Sequence, residues 1–300
     1  MSKMQERRAP MNRSARWQML LSMVIFGTIG LFVKYIPLPS AAIALVRGVV
    51  GLLFLLIVMA AGRKKLSLTA IRSNLLILIL SGIALGGNWM LLFESYRHTT
   101  VATATLCYYL APVFVVLLSP VFYKERLTGR KLVCTLAALI GMVLVSGILD
   151  AGFSPAQLTG VLCGLGAAAL YAAEVLLNKA LRGLSAFERT VMQLAVSSLI
   201  LLPYVLLTAQ TASFRLAPLS LLLLLVVGVI HTGVAYALYF NAVGALPAQT
   251  AALLSYLDPV IAVLLSALLL REPMGWSGIL GAVLILGSTL ISELAPNSKR

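Results

Sequence analysis

Tyr109-Leu110-Ala111-Pro112 and Tyr256-Leu257-Asp258-Pro259 are the two stretches on which the fold turns. Each lies near the middle of an apolar run long enough to cross a bilayer. Proline at such a place removes one helical N–H and crowds the carbonyl one turn back, so both helices are predicted to bend. The freed backbone groups need partners, and in lipid these come from neighbouring helices or a water-filled cavity. The two stretches also answer each other. The shift of 147 positions that carries Pro112 onto Pro259 also carries Gly86 onto Gly233, Phe93 onto Phe240, Thr103 onto Thr250 and Tyr109 onto Tyr256. It lays Val116-Leu117-Leu118-Ser119 on Val263-Leu264-Leu265-Ser266, and Glu125 on Glu272. An internal repeat half a chain long is therefore expected.

Composition agrees with a membrane environment. Of 300 residues, 61% are hydrophobic and only 11% charged, far more apolar than a soluble domain requires. The net charge of +14 would suit nucleic acid if it were clustered on a folded surface, but the basic residues gather between the apolar runs. Nucleic acid is therefore not an expected partner. No cleavable signal peptide is read at the N-terminus, because the first apolar run lacks a small-residue cleavage site and is followed by similar runs. Cys107, Cys134 and Cys163 lie inside apolar runs without metal-ligand spacing, so packing is their expected role and no metal or other cofactor is expected.

Ten spans are predicted, at about 16–36, 40–62, 73–94, 100–123, 131–149, 157–178, 188–209, 218–241, 247–270 and 275–294. The expected fold is an all-α integral membrane protein. Its first five-helix repeat covers 16–149 and its second 157–294, with short tails at 1–15 and 295–300. With the N-terminus inside, Lys34, Arg97, Arg215 and Arg271 fall outside and Arg47 lies within the second span. The remaining 18 of the 23 Lys and Arg are cytoplasmic. The positive-inside rule then places both termini in the cytoplasm of a multi-pass protein of the cell membrane, the cytoplasmic membrane if the cell is bacterial. Five spans per repeat is an odd number, so the second copy enters the membrane from the opposite side. The repeats are expected to be inverted, about an axis in the membrane plane.

Polar groups deep in lipid are costly and face the bundle interior or a cavity. Asp258, beside Pro259, reads as a ligand for a substrate ammonium, as a carrier of a coupling proton, or as a carboxyl held by hydrogen bonds in the kink. Tyr171, Glu174 and Asn178 share one helix face by their spacing of three and four. Glu174 either faces the interior or pairs with Lys179 near the helix end. Asn88 and Trp89 in the third span, with Tyr236 and Tyr239 in the eighth, would wall a site for a substrate with an apolar body and a polar head. Tyr109 and Tyr256 join them from the two proline stretches, with Pro112 and Pro259 as hinges. Glu94 and Tyr96 read as interfacial. His231 is either hydrogen-bonded packing or a proton site. Arg47 either attracts a substrate carboxylate or reaches the outer interface. Gly82 with Gly86, and Gly160 with Gly164, fit close helix packing.

On these features the chain resembles the drug/metabolite transporter superfamily, in its ten-helix EamA-type branch. The residues that carry the resemblance are the prolines of spans 4 and 9, Glu125 and Glu272 closing them, and the glycines of the fifth helices, Gly141 and then Gly278, Gly281 and Gly287. The likeness spans about residues 17–294. It implies a secondary transporter of small amphiphilic metabolites, such as amino acids, working by alternating access in the direction of export, with a proton as a candidate coupling ion. A multidrug or cation exporter of the same superfamily is the alternative. No Walker loop is present to use ATP. A membrane-embedded lipid-modifying enzyme would need a nucleophile–base pair or a metal cluster that the scattered His and Cys do not supply, so no catalytic residues are expected.

Overall fold

Runs of Leu, Val and Ala satisfy their backbone groups within one segment, and helix is how a chain does so in an apolar medium. The structure is a computed structural model that describes residues 13–63, 66–123, 128–145, 154–208, 217–246, 248–272 and 274–294. All regular secondary structure among them is helical. Both tails beyond these limits, Glu125 and Pro273 lie outside the described residues.

The order is α1 (Arg13–Lys34), α2 (Ser40–Ala61), α3 (Leu68–Ser73), α4 (Leu75–His98), α5 (Val101–Tyr108), α6 (Ala111–Tyr123) and α7 (Gly129–Val145). It continues with α8 (Pro155–Ala180), α9 (Ala186–Leu207), α10 (Pro218–Gly228), α11 (Ala235–Ala245), α12 (Ala248–Ser255), α13 (Leu257–Leu268) and α14 (Trp276–Leu294). A π-helical turn, Val229–Val234, joins α10 to α11 without a break. Seven described helices are long and apolar enough to cross a membrane, counting Val101–Phe122 and Pro218–Val243 as one each. Leu253–Leu268 and Trp276–Ser292 are shorter apolar helices. The chain is thus a multi-pass helical membrane protein.

Local chemistry sets the ends of the helices. Ser67, Thr100, Ser154 and Ser185 each accept a hydrogen bond from the backbone N–H three residues on, satisfying a donor that would otherwise be orphaned. Glu188 completes a capping box at Ser185. Pro155 and Pro218 begin α8 and α10, where the missing N–H has no consequence.

Small residues set the packing. α4 lies along α8 and α9, and α1 along α11 and α13. Gly82 and Gly86 face Val196 and Ser197 of α9, while Gly160 and Gly164 of α8 face Thr99 and Cys107. α7 packs along α14 with backbone on backbone: a Cβ at Gly141 would come 2.7 Å from the Gly281 carbonyl oxygen, and one at Gly281 2.5 Å from that of Gly141. Polar staples fix α4 against α8 near both ends. The Ser95 hydroxyl donates to the Gly160 carbonyl at 2.6 Å. At the other end the Asn74 amide exchanges two hydrogen bonds with the Arg182 backbone, at 3.0 and 3.3 Å.

Candidate functional site

Both proline stretches interrupt their helices. α5 stops at Tyr108 and α12 at Ser255, each four residues before a proline. That is the carbonyl a proline ring crowds. Pro112 and Pro259 then sit in the first turn of α6 and α13, where no N–H is needed. The sequence predicts a bend, and the structure has a short interruption, at Tyr109-Leu110 and at Tyr256, displaced about one turn N-terminal of each ring. Tyr109 (φ −72°, ψ 6°) and Tyr256 (φ −70°, ψ −8°) take almost the same backbone conformation at the two breaks. The breaks are also in contact, for the Tyr109 hydroxyl donates to Asp258 Oδ2 at 2.6 Å. α1 passes alongside at Gly27, where a Cβ would lie 2.6 Å from the Asp258 carbonyl oxygen.

Beside this junction is a cavity of about 690 Å³, a size that suits a small organic molecule. Arg47, Trp89, Tyr109, Pro112, Tyr171, Glu174, Tyr236, Tyr239, Tyr256 and Asp258 line it. Asn88 does not line it but sits behind it, fully buried, and its amide donates to Glu174 Oε2 at 3.3 Å. Glu174 is buried on this face. Pro259 is buried outside the lining.

His231 also lies outside the lining. Its Nε2 meets the Thr28 hydroxyl at 2.9 Å, its Nδ1 faces the Val226 carbonyl at 3.3 Å, and Phe32 packs edge-on against its ring. The imidazole therefore joins α1 to the π-helical turn.

The aromatic walls are stacked among themselves. Tyr108 and Tyr171 lie nearly parallel, centroids 5.1 Å apart. Phe26 meets Tyr236 at 5.4 Å, and Phe240 packs on both Tyr236 and Tyr239. Such rings offer an apolar surface with little rotamer freedom left to lose. Sequence reasoning missed Tyr108, Phe26 and Phe240 as lining residues and read Tyr96 as interfacial. Tyr96 is buried, lines the cavity and lies 3.4 Å from the Thr105 hydroxyl. Phe240 carried a signal, its match to Phe93 across the repeat. Tyr108 carried only its adjacency to Tyr109, because an unbroken helix would turn successive side chains about 100° apart.

The cavity reaches one end of the bundle, where Asn178, Arg189, Gln193 and Val243 line it. Here Gln193 Nε2 donates to Asn178 Oδ1 at 2.8 Å and Arg189 Nη1 to the Asn178 carbonyl at 3.3 Å. Toward the other end its walls include Ile29, Tyr96 and Thr105. A polar cluster lies at that end. Glu272 Oε1 pairs with Lys34, while its Oε2 accepts from the Val101 N–H at 2.9 Å and the Ser266 hydroxyl at 2.6 Å. One carboxylate thereby ties the end of α1 to the start of α5 and the end of α13. It also sits at a helix N-terminus, where the exposed N–H groups favour negative charge.

The sequence matches the EamA-like transporter family twice, over residues 14–147 and 158–293. It is 33% identical over 252 residues to the uncharacterized transporter YxxF of Bacillus subtilis, covering 83% of this chain and 79% of that one. An uncharacterized transporter of Archaeoglobus fulgidus is 27% identical over 278 residues, 91% of this chain and 94% of its own. Protein PecM of Dickeya dadantii is 28% identical over 206 residues, 68% of each chain. One solved crystal structure superposes with a TM-score of 0.64 over 94% of this chain and 96% of the other at 18% identity, a likeness of fold.

Proposed function

The chain belongs to the EamA-like transporter family, and from that premise we propose that it is a secondary transporter of small amphiphilic metabolites, amino acids foremost, exporting them by alternating access. One observation carries the reading: a 690 Å³ cavity lined by two carboxyls, the Arg47 guanidinium deep inside, Arg189 at its mouth and a set of aromatic rings reaches one end of the bundle, while the Glu272 cluster ties helices together at the other. Aromatic faces suit an apolar side chain, and Asp258 and Glu174 suit an ammonium group. A carboxylate deep in a membrane costs at least ~2.5–3.5 kcal/mol on insertion scales. Water in the cavity, the Tyr109 hydroxyl and a cationic substrate group would each offset that cost at Asp258.

The proposed architecture is ten spans in two inverted five-helix repeats, 16–149 and 157–294, with the tails 1–15 and 295–300 cytoplasmic. The packing partners support it. Exchanging each helix for its counterpart turns the α4–α8 contact into α1–α11, and the contact of α4 with α9 into that of α2 with α10. The α2–α9 and α7–α14 contacts map onto themselves, as pairs astride a two-fold axis must. With the termini inside, the cavity reaches the cytoplasmic end, where an exported substrate is loaded. Rearrangement at the two helix breaks, with release of the Glu272 cluster, would then expose it to the other side. Asp258, in contact with both breaks, is the group proposed to carry a coupling proton.

A cation or multidrug exporter is the second reading, favoured by the two carboxyls. Arg47 in the same cavity disfavours substrates that are only cationic. The deciding experiment is counterflow with purified protein in liposomes, comparing amino acids with hydrophobic cations. Saturable exchange of amino acids is expected. Exchange confined to the cations would replace the leading reading, and non-saturable flux of either would mean a channel.

A further inference from the structure

Arg47 sits in the second turn of α2, only 5% exposed, and lines the cavity. Its guanidinium carbon lies 3.8 Å from the centroid of the Trp89 ring, and its Nε donates to the Thr232 hydroxyl at 2.8 Å. Among the described residues no carboxylate lies within ion-pair distance of it, and none accepts a hydrogen bond from its two Nη groups. A buried charge without a directly paired counter-charge is costly, and Asp258 acts on it only from across the cavity. Stacking on Trp89 offsets part of that cost and leaves the edge of the fork, which matches a carboxylate in two parallel hydrogen bonds, open to the cavity.

Thr232 holds the guanidinium in place. Its hydroxyl proton goes to the Val227 carbonyl, 3.2 Å away and five residues back, which leaves the oxygen lone pairs for Arg47. That reach belongs to the π-helical turn, whose extra residue per turn re-aims a side chain. α2 is pressed onto the same turn by absent side chains. A Cβ at Gly51, one turn beyond Arg47, would come 2.4 Å from Thr232 Cγ2, and one at Gly228 would come 2.5 Å from Val50. The position of Arg47 over Trp89 is therefore set from two sides.

We propose that Arg47, stacked on Trp89 and held by Thr232, is an anion-recognition subsite that takes a carboxylate group of the transported molecule. Asp258 and Glu174, across the same cavity, take its cationic group. The substrate is then oriented as a dipole, and molecules lacking the anionic end are discriminated against. The inference rests on the reading of the cavity as the transport site.

The test is a binding measurement with the purified protein in detergent micelles. Trp17→Phe and Trp276→Phe leave Trp89 as the sole tryptophan, so its fluorescence reports directly from the site. The probes are L-phenylalanine, 3-phenylpropionate (carboxylate without amine) and 2-phenylethylamine (amine without carboxylate). Thr232→Val is expected to weaken both carboxylates about tenfold and the amine less than about twofold, and Thr232→Ser to restore binding. Arg47→Gln should abolish 3-phenylpropionate binding, with the melting temperature of each variant monitoring its fold. If the unsubstituted site binds 2-phenylethylamine as tightly as L-phenylalanine, or if Thr232→Val weakens all three alike, the subsite is refuted while the cavity remains a binding site. If no probe perturbs Trp89, the transport reading of the cavity fails and the subsite with it.

Discussion

Tyr109 and Asp258, 149 positions apart, are joined by a 2.6 Å hydrogen bond that runs from one helix break to the other. Each residue lies three or fewer positions before, or directly beside, the proline of its own stretch. The bond places the only acid of the two stretches at the point where both helices are interrupted.

If Asp258 carries charge or a proton during transport, Asp258→Asn should reduce counterflow of amine-bearing substrates by about tenfold or more, the value of a hydrogen bond to a charged group. Tyr109→Phe should give a smaller loss, because Asp258 stays in the cavity. Rates are to be compared over a pH series in liposomes, where Asp258→Asn is expected to flatten the profile. Unchanged rates and an unchanged profile would make Asp258 a residue of the helix break alone.

The Glu272 cluster should act as a latch. An exposed ion pair contributes about 0–1 kcal/mol, and hydrogen bonds to a charged group roughly 1.5–3 kcal/mol each, so the cluster is weak enough to open within a cycle. Glu272→Gln is expected to increase labelling of Ile29→Cys by a membrane-impermeant maleimide added from outside, in a background without the native cysteines. Equal labelling with and without the substitution would show that this end is closed by something else.

Pro112→Ala restores an N–H and removes the clash with the Tyr108 carbonyl, which would let α5 and α6 run together. Transport should fall several-fold while the amount of inserted protein stays near normal, since the run keeps its apolar residues. Pro259→Ala should behave alike. A loss of insertion matching the loss of transport would assign the prolines to assembly.

Gly281→Val should lower the melting temperature in detergent, because overpacking costs about 1–3 kcal/mol and its Cβ would meet the Gly141 carbonyl oxygen at 2.5 Å. Gly287→Ala is the internal control. A Cβ there meets nothing within 4 Å, so helix propensity alone should leave it neutral or slightly more stable. Similar behaviour of the two variants would remove direct backbone contact as the basis of α7–α14 packing.

The sequence by itself determined that the chain is helical and membrane-embedded, because long apolar runs have few other ways to satisfy their backbone in lipid. It also located the two interruptions, since proline acts on its own helix through a local clash. Part of the lining was legible for a related reason: Trp89, Tyr171, Glu174, Tyr236 and Asp258 are polar or amphipathic in surroundings that exclude such groups. Only the tertiary structure decided which of them meet. A helix surrounded by lipid is apolar on every side, so the stripe that marks the buried face of a soluble helix is missing. That is why Asn88 falls behind Glu174 while Tyr96 and Tyr108 reach the cavity. It is also why the pairing of Lys34 with Glu272, and of Arg47 with Thr232 on a π-helical turn, had no counterpart in the linear pattern. These contacts depend on how close two helices come, and that is set by glycines such as Gly27 and Gly51 acting on partners more than 150 residues away.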